Sequence, residues 1–118
     1  MICLLIEVDG RSREIDLPAD PAERDDMLAA LTGGDFALRE TIDRGLDLWM
    51  GIGQHDSPAN APASALAADL SGESWRHYHG PVVVCGVELS EAGEEHAVDL
   101  TGDQLAALRW RLGRHGAD

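Results

Sequence analysis

The segment Gly80-Pro81-Val82-Val83-Val84-Cys85-Gly86-Val87 constrains the fold more than any other part of the chain. It is the one continuous β-branched run in the sequence, and turn-forming residues lie on both sides of it. An unbroken apolar run of this length is typical of a strand that is buried on both faces. We therefore expect other strands to flank this segment and helices to cover it.

Two earlier segments predict β-hairpins. Ile2 to Val8 is an apolar strand with Ile2, Leu4, Ile6 and Val8 on one face, and Arg13 to Leu17, with Ile15 and Leu17 facing inward, returns after the turn signal Asp9-Gly10. Asp43-Arg44-Gly45 is a second short turn between two alternating segments, which is typical of a pair of antiparallel strands. The apolar residues expected on one face of this second hairpin are Phe36, Leu38, Ile42, Leu46, Leu48, Met50 and Ile52.

Capping residues predict three helices. Asp20, Asn60 and Thr101 carry the side chains that cap helix N-termini, and each stands before a segment with helical apolar spacing. Gly33-Gly34 and Gly113 are expected to end the first and the last helix, because glycine is common directly after a helix.

The order of the predicted elements indicates the fold class. A short strand over His96 to Leu100 follows the central strand and gives the order ββαββαββα. This order predicts an α+β domain with helices on one face of a mixed or mostly antiparallel sheet of about six strands, with about three helices. We expect residues 1–118 to form one domain, with a loose tail over residues 114–118.

The charge balance narrows the choice of partners. The chain carries 22 acidic and nine basic residues, a formal net charge of -13. This charge repels phosphate groups and anionic lipids, so we expect neither direct nucleic-acid binding nor membrane binding. An acidic surface suits a basic protein partner, or one that normally binds nucleic acid. The alternative is that the charge serves only to keep the protein in solution.

The cysteines and the opening segment bear on the compartment. Cys3 and Cys85 lie in different apolar runs without metal-binding spacing, so we expect two buried, reduced thiols. The apolar start lacks a basic segment and meets Glu7 and Asp9 too early for a signal peptide. No apolar run approaches the roughly 20 residues that span a bilayer. We therefore predict a cytoplasmic protein.

Several short motifs occur in a fixed order along nearly the whole chain. They are Val8-Asp9-Gly10, Glu14-Ile15-Asp16-Leu17, Leu28 to Gly34, Pro58-x-Asn60 with Ala63 and Leu66, Gly80-Pro81-Val82-Val83-Val84-x-Gly86, and Asp99-Leu100-Thr101. In this combination the chain resembles a small domain-of-unknown-function family of actinobacteria, other bacteria and their phages. The resemblance implies a compact α+β domain in a phage or mobile-element setting. It implies no activity, because none is established for that family.

The candidate metal ligands are His55, Asp56, His77, His79 and Cys85. His77 and His79 would project to one side of an extended segment, and His55 or Asp56 would supply a third ligand for zinc. The spacing matches no established zinc motif, and the alternative is solvated loop histidines. A small metal-dependent enzyme or ligand-binding domain with a site near His55–His79 is therefore the alternative function. We expect no cofactor.

Catalytic motifs are weak throughout the sequence. Glu7, Glu40 and Glu88 fall inside predicted strands, where burial would shift a carboxyl pKa, although edge or solvent-facing positions are favoured. Neither cysteine has a basic neighbour in sequence, and no serine lies in a G-x-S-x-G turn. The sequence therefore favours a protein that is not an enzyme.

Two aromatic groups are candidate contact surfaces. Trp110 lies well away from the apolar face of the last helix, beside Arg111 and Arg114, a composition typical of protein interfaces. The alternative for Trp110 is that it packs against a loop of its own domain. Trp75 and Tyr78 form a second candidate surface. The leading hypothesis is a non-enzymatic acidic interaction protein that binds itself or a protein partner. In the second case its acidic surface would mimic a phosphate backbone.

Overall fold

A computed structural model describes residues 1–33, 37–51, 57–73 and 77–115, with the side chains of 114 and 115 excepted. In chain order the elements are β1 (Ile2–Ile6), β2 (Ser12–Asp16), α1 (Pro21–Thr32), β3 (Ala37–Asp43), β4 (Leu46–Gly51), α2 (Ala61–Ser71), β5 (Val82–Leu89), β6 (Glu95–Val98) and α3 (Gly102–His115). The predicted order ββαββαββα and the α+β class are confirmed.

All strands belong to one antiparallel sheet with the order β2-β1-β5-β4-β3. The central strand predicted from the valine run is β5, which pairs with β1 on one side and with β4 on the other. β6 pairs with the second half of β5, on the same side as β1. β1 and β6 therefore lie end to end along β5, and the Leu100 amide donates to the Ile2 carbonyl where they meet.

The second hairpin is present as predicted. Leu38 lies opposite Met50 and Glu40 opposite Leu48, while a bulge between Thr41 and Asp43 shifts the pairing near the turn. Phe36 and Ile52, predicted at the two ends of this hairpin, lie outside the described residues.

Helices cover both faces of the sheet. On one face, alternate residues of the central strands such as Leu4 and Val84 pack in one cluster with α2 and α3. On the other face, Cys3 and Cys85 pack with Leu28 of α1. The expectation of helices on one face is therefore wrong. Because β1 and β5 are apolar on both faces, helices have to cover both faces of the sheet to remove these side chains from water.

The predicted N-terminal caps are present. Asp20 accepts from the Glu23 amide, and Asn60 accepts from the Ala63 amide. Thr101 and Gln104 form a reciprocal capping box.

The end of the last helix differs from the prediction. Gly33 adopts the left-handed conformation that ends α1, with φ of 78°. At the last helix, however, α3 continues through Gly113 to His115, so the prediction that Gly113 ends it is wrong. A glycine inside a helix costs only about 1 kcal/mol, which is less than the burial of the preceding Leu112 contributes.

Among the described residues, no helix is long and apolar enough to cross a membrane.

Candidate functional site

No described residue covers one end of the sheet on the face that packs against α1. The cluster under this helix includes Val83 and Cys85 of β5 and borders Trp49 of β4. Val87 and Leu89 continue the same face of β5, since alternate residues of a strand share a face, but they lie beyond the cluster. Leu89 is 65% exposed. The sheet thus extends past the helix that covers it.

This uncovered end forms a cleft of about 470 Å³ between the β3–β4 and β5–β6 hairpins. Its lining combines apolar surface from β4 and β5 with four carboxylates and one guanidinium group. The lining residues are Thr41, Asp43, Arg44, Gly45, Leu46, Asp47, Val87, Glu88, Leu89 and Glu95. The cleft is therefore acidic and partly apolar.

Asp47 is the one buried carboxylate of the cleft, and its residue is 1% exposed. The Thr41 hydroxyl donates to Asp47 Oδ1 over 3.0 Å. Asp47 Oδ2 lies 3.3 Å from Nε of Arg39 as an ion pair, but it has no hydrogen-bond partner among the described residues. This buried oxygen has lost its hydration, and the charge of Arg39 replaces it only in part.

Arg39 extends across the sheet face over this carboxylate. Its Nη2 lies 3.4 Å from Glu95 Oε2 on β6, and its guanidinium carbon lies 5.9 Å from the ring centroid of Trp49. Both Arg39 and Glu95 are about two-fifths exposed, so water screens this ion pair and a competing cation can displace it. Arg39 therefore offsets part of the negative charge that Asp47 and Glu95 bring to the cleft.

Replacing Asp47 with asparagine should change how stability depends on pH. Burial raises the pKa of the Asp47 carboxyl above its ordinary value of 3.8, while the Thr41 hydrogen bond and the Arg39 charge oppose this shift. The folded state then binds a proton more readily than the unfolded state. The contribution of this group to stability is complete below its unfolded pKa and is lost as the pH rises through its folded pKa.

Because asparagine does not titrate, the unfolding free energy of Asp47→Asn relative to wild type should rise as the pH increases from the ordinary aspartate pKa of 3.8 through the raised pKa of Asp47. Urea unfolding at a series of pH values measures this difference. Thr41→Val removes the hydrogen bond that lowers the pKa of Asp47, so it should move the change to higher pH. Parallel curves for wild type and Asp47→Asn would contradict the assignment.

The predicted aromatic surfaces are only partly described. Trp110 is 63% exposed on α3, and Arg111 forms an ion pair with Asp69 of α2. Tyr78 is 2% exposed, so it belongs to the core and not to a surface. The predicted residue Trp75 and the side chain of the predicted Arg114 lie outside the described residues.

The two described histidines among the predicted metal ligands have different surroundings. His77 is exposed, and His79 is half-buried with Nδ1 3.1 Å from the Ser57 carbonyl. His55 and Asp56 lie outside the described residues. Within the described ranges, which omit 34–36, 52–56, 74–76, 116–118 and the side chains of 114 and 115, no three His, Cys, Asp or Glu side chains are placed to hold a metal ion.

The three strand glutamates have different surroundings. Glu7 is half-buried directly after β1 and not inside a strand as expected, and Glu40 accepts from the Tyr78 hydroxyl over 2.8 Å. Glu88 is exposed and lies on the rim of the cleft. Glu88 is therefore the one candidate carboxylate predicted from the sequence that lies in the cleft, and Asp47 was not predicted. The available signal was a charged residue between Leu46 and Leu48 on a strand of the second predicted hairpin.

No family model, no curated protein and no solved structure matches this chain.

Proposed function

We propose that this chain is a non-enzymatic interaction protein whose cleft binds a basic segment of a protein partner. The observation that carries the proposal is the exposed Leu89 beside four carboxylates on an uncovered part of the sheet. The buried Asp47 makes this part of the surface differ from a solvated acidic patch.

The charge of the cleft supports a cationic ligand group. Asp43, Glu88 and Glu95 line the cleft together with Asp47, against the guanidinium groups of Arg44 in the lining and Arg39 beside it. A guanidinium group binds carboxylates through paired hydrogen bonds, so an arginine of the partner fits this set of oxygens. The overall charge of -13 would also speed the approach of a basic partner.

The apolar part of the cleft supports a protein partner over a small cation. Leu89 and the half-buried Val87 offer a surface that a simple cation would leave in water. An apolar side chain next to a basic residue in the partner would cover both, as interfaces combine a desolvated centre with charged neighbours. We therefore infer an extended segment that carries basic and apolar residues.

Self-association is a second candidate, and the exposure of Trp110 favours it. Trp110 lies between Arg109 and Arg111, which form ion pairs with Glu14 and Asp69. Two copies of a chain with a charge of -13 repel each other, which favours a basic partner over a second copy. Sedimentation velocity across a range of concentrations distinguishes the two.

The finer parts of the proposal concern setting. We infer a cytoplasmic protein, since Cys3 and Cys85 are both free thiols. We infer no direct binding to nucleic acid, because the net charge opposes it. Mimicry of a phosphate backbone by the acidic surface remains a prediction. The phage or mobile-element setting that the family resemblance implies also remains a prediction.

Removing one charge and one apolar side chain from the cleft should weaken binding at least tenfold. The variant is Glu88→Gln with Leu89→Ser, and the probe is a short peptide of alternating arginine and leucine residues, titrated by calorimetry at low salt. Asp25→Asn on the exposed face of α1 with Ala22→Ser is the matched control, and it should bind within about twofold of wild type. Affinity should also fall as salt is added.

Equal losses in the control and cleft variants would show that the peptide responds to net charge alone, which contradicts the proposal. Capture from bacterial lysate with the same three proteins then identifies the natural partner. The expected result is a basic protein that wild type and control retain and the cleft variant loses.

A further inference from the structure

The two cysteines are direct neighbours across the sheet although they are 82 positions apart in the chain. β1 and β5 pair with Leu4 opposite Val84 and Leu5 opposite Val83. Continuing this register by one residue places Cys3 opposite Cys85. Both side chains are fully buried under α1, and their Sγ atoms lie 2.9 Å apart.

The backbone hydrogen-bond pattern makes Cys3 and Cys85 a non-hydrogen-bonded pair of the antiparallel ladder. The Met1 carbonyl accepts from Leu17 and the Glu7 amide donates to Arg11, so backbone groups at odd positions of β1 point toward β2. Cys3 follows the same alternation and makes no ladder bond to β5. Non-hydrogen-bonded pairs bring Cα atoms to about 4.5 Å, inside the range of about 4.4 to 6.8 Å found for disulfides.

We propose that Cys3 and Cys85 are a modification site that takes up a reversible cross-strand disulfide from a small-molecule disulfide such as oxidised glutathione. One thiol gives up its proton and attacks the oxidant, forming a mixed disulfide and releasing one reduced glutathione. The second thiol then gives up its proton and attacks the protein sulfur of that mixed disulfide. A second reduced glutathione leaves, so two protein thiols are oxidised and one small disulfide is reduced.

The surroundings of the pair govern how fast this reaction runs. The hydrogen bond with Cys3, together with burial, raises the pKa of the Cys85 thiol, and the charge of Arg24 opposes this shift. The reactive thiolate is therefore scarce in the closed fold. The exchange proceeds when β1 separates from β5, and it is faster at higher pH.

Two parallel reactions test the site: treatment of the folded protein with oxidised glutathione at pH 8, and refolding of the reduced chain in a glutathione buffer. Refolding gives the oxidant access to both thiols. The expected product has lost two hydrogen atoms by intact mass, and a non-reducing digest links the peptides that contain Cys3 and Cys85. Because the bond closes a loop of 82 positions, the thermal midpoint should rise by roughly 10 °C and return after reduction.

Cys3→Ala and Cys85→Ala are the controls. Each should take up at most one glutathione and show a midpoint that the oxidant does not raise. Refolded wild type that carries two glutathione adducts without a link, or that stays fully reduced, would overturn the proposal. A linked product with a lower midpoint than the reduced protein would overturn it as well.

Discussion

Replacing Asn60 with alanine should lower the free energy of unfolding by about 4 kcal/mol. The Asn60 amide is fully buried and donates from Nδ2 to the carbonyls of Ile6 and Gly80, over 3.1 and 3.0 Å. Its Oδ1 accepts from the Ala63 amide and caps α2. Alanine would leave three buried backbone groups without their partner, and each such group costs about 1 to 3 kcal/mol.

Two other variants separate the roles of this side chain in urea unfolding. Asp20→Ala removes an exposed cap of the same kind and should cost about 1 kcal/mol. Asn60→Asp keeps the cap but places an oxygen against two carbonyl oxygens, so at neutral pH it should be at least as destabilising as alanine. If Asn60→Ala costs no more than Asp20→Ala, the two buried hydrogen bonds from Nδ2 contribute nothing.

Replacing Gly86 with alanine should cost about 3 kcal/mol for a different reason. A Cβ atom there would lie 2.9 Å from the Asp99 carbonyl oxygen and 3.1 Å from that of Val98. These are backbone atoms at the point where β6 pairs with β5 and the chain passes on to Leu100 beside Ile2. They can move only by disturbing that pairing.

Gly113→Ala is the matched control for Gly86→Ala. Nothing lies within 4 Å of a Cβ at Gly113 in α3, so the same substitution should be neutral or stabilising by up to about 1 kcal/mol. Thermal or urea unfolding of the two variants compares them directly. A Gly86→Ala protein as stable as wild type would mean that β6 does not approach β5 as closely as described.

Local chemistry was sufficient to predict the elements of this fold. The caps at Asp20, Asn60 and Thr101 and the turn at Gly45 depend on residues within a few positions of each other, and each lies where it was predicted. The covering of both sheet faces was missed because it depends on where α1 crosses the sheet. The signal in the sequence was the lack of apolar–polar alternation along β1, where Cys3 and Leu4 point to opposite faces and are both buried.

The cleft could not be predicted from the sequence for a similar reason. In the sequence, the segment with Glu88, Leu89 and Glu95 has the composition of an ordinary polar hairpin end. Only the structure shows that α1 is too short to cover this end of the sheet. Burial of Asp47 likewise results from the pairing of β4 with β5 and from Arg39 lying across it. Both are long-range effects that residue spacing does not encode.

A titration of ¹⁵N-labelled protein with the arginine–leucine peptide, followed by two-dimensional NMR, tests the proposed function most directly. Binding in the cleft predicts saturable shifts in the backbone amides of Gly45, Asp47, Val87 and Leu89, whose residues line it. The amides of Asp25 and Asp26 on the exposed face of α1 should stay unchanged. Shifts that spread over α1 as strongly as over the cleft, or that do not saturate, would contradict the proposal.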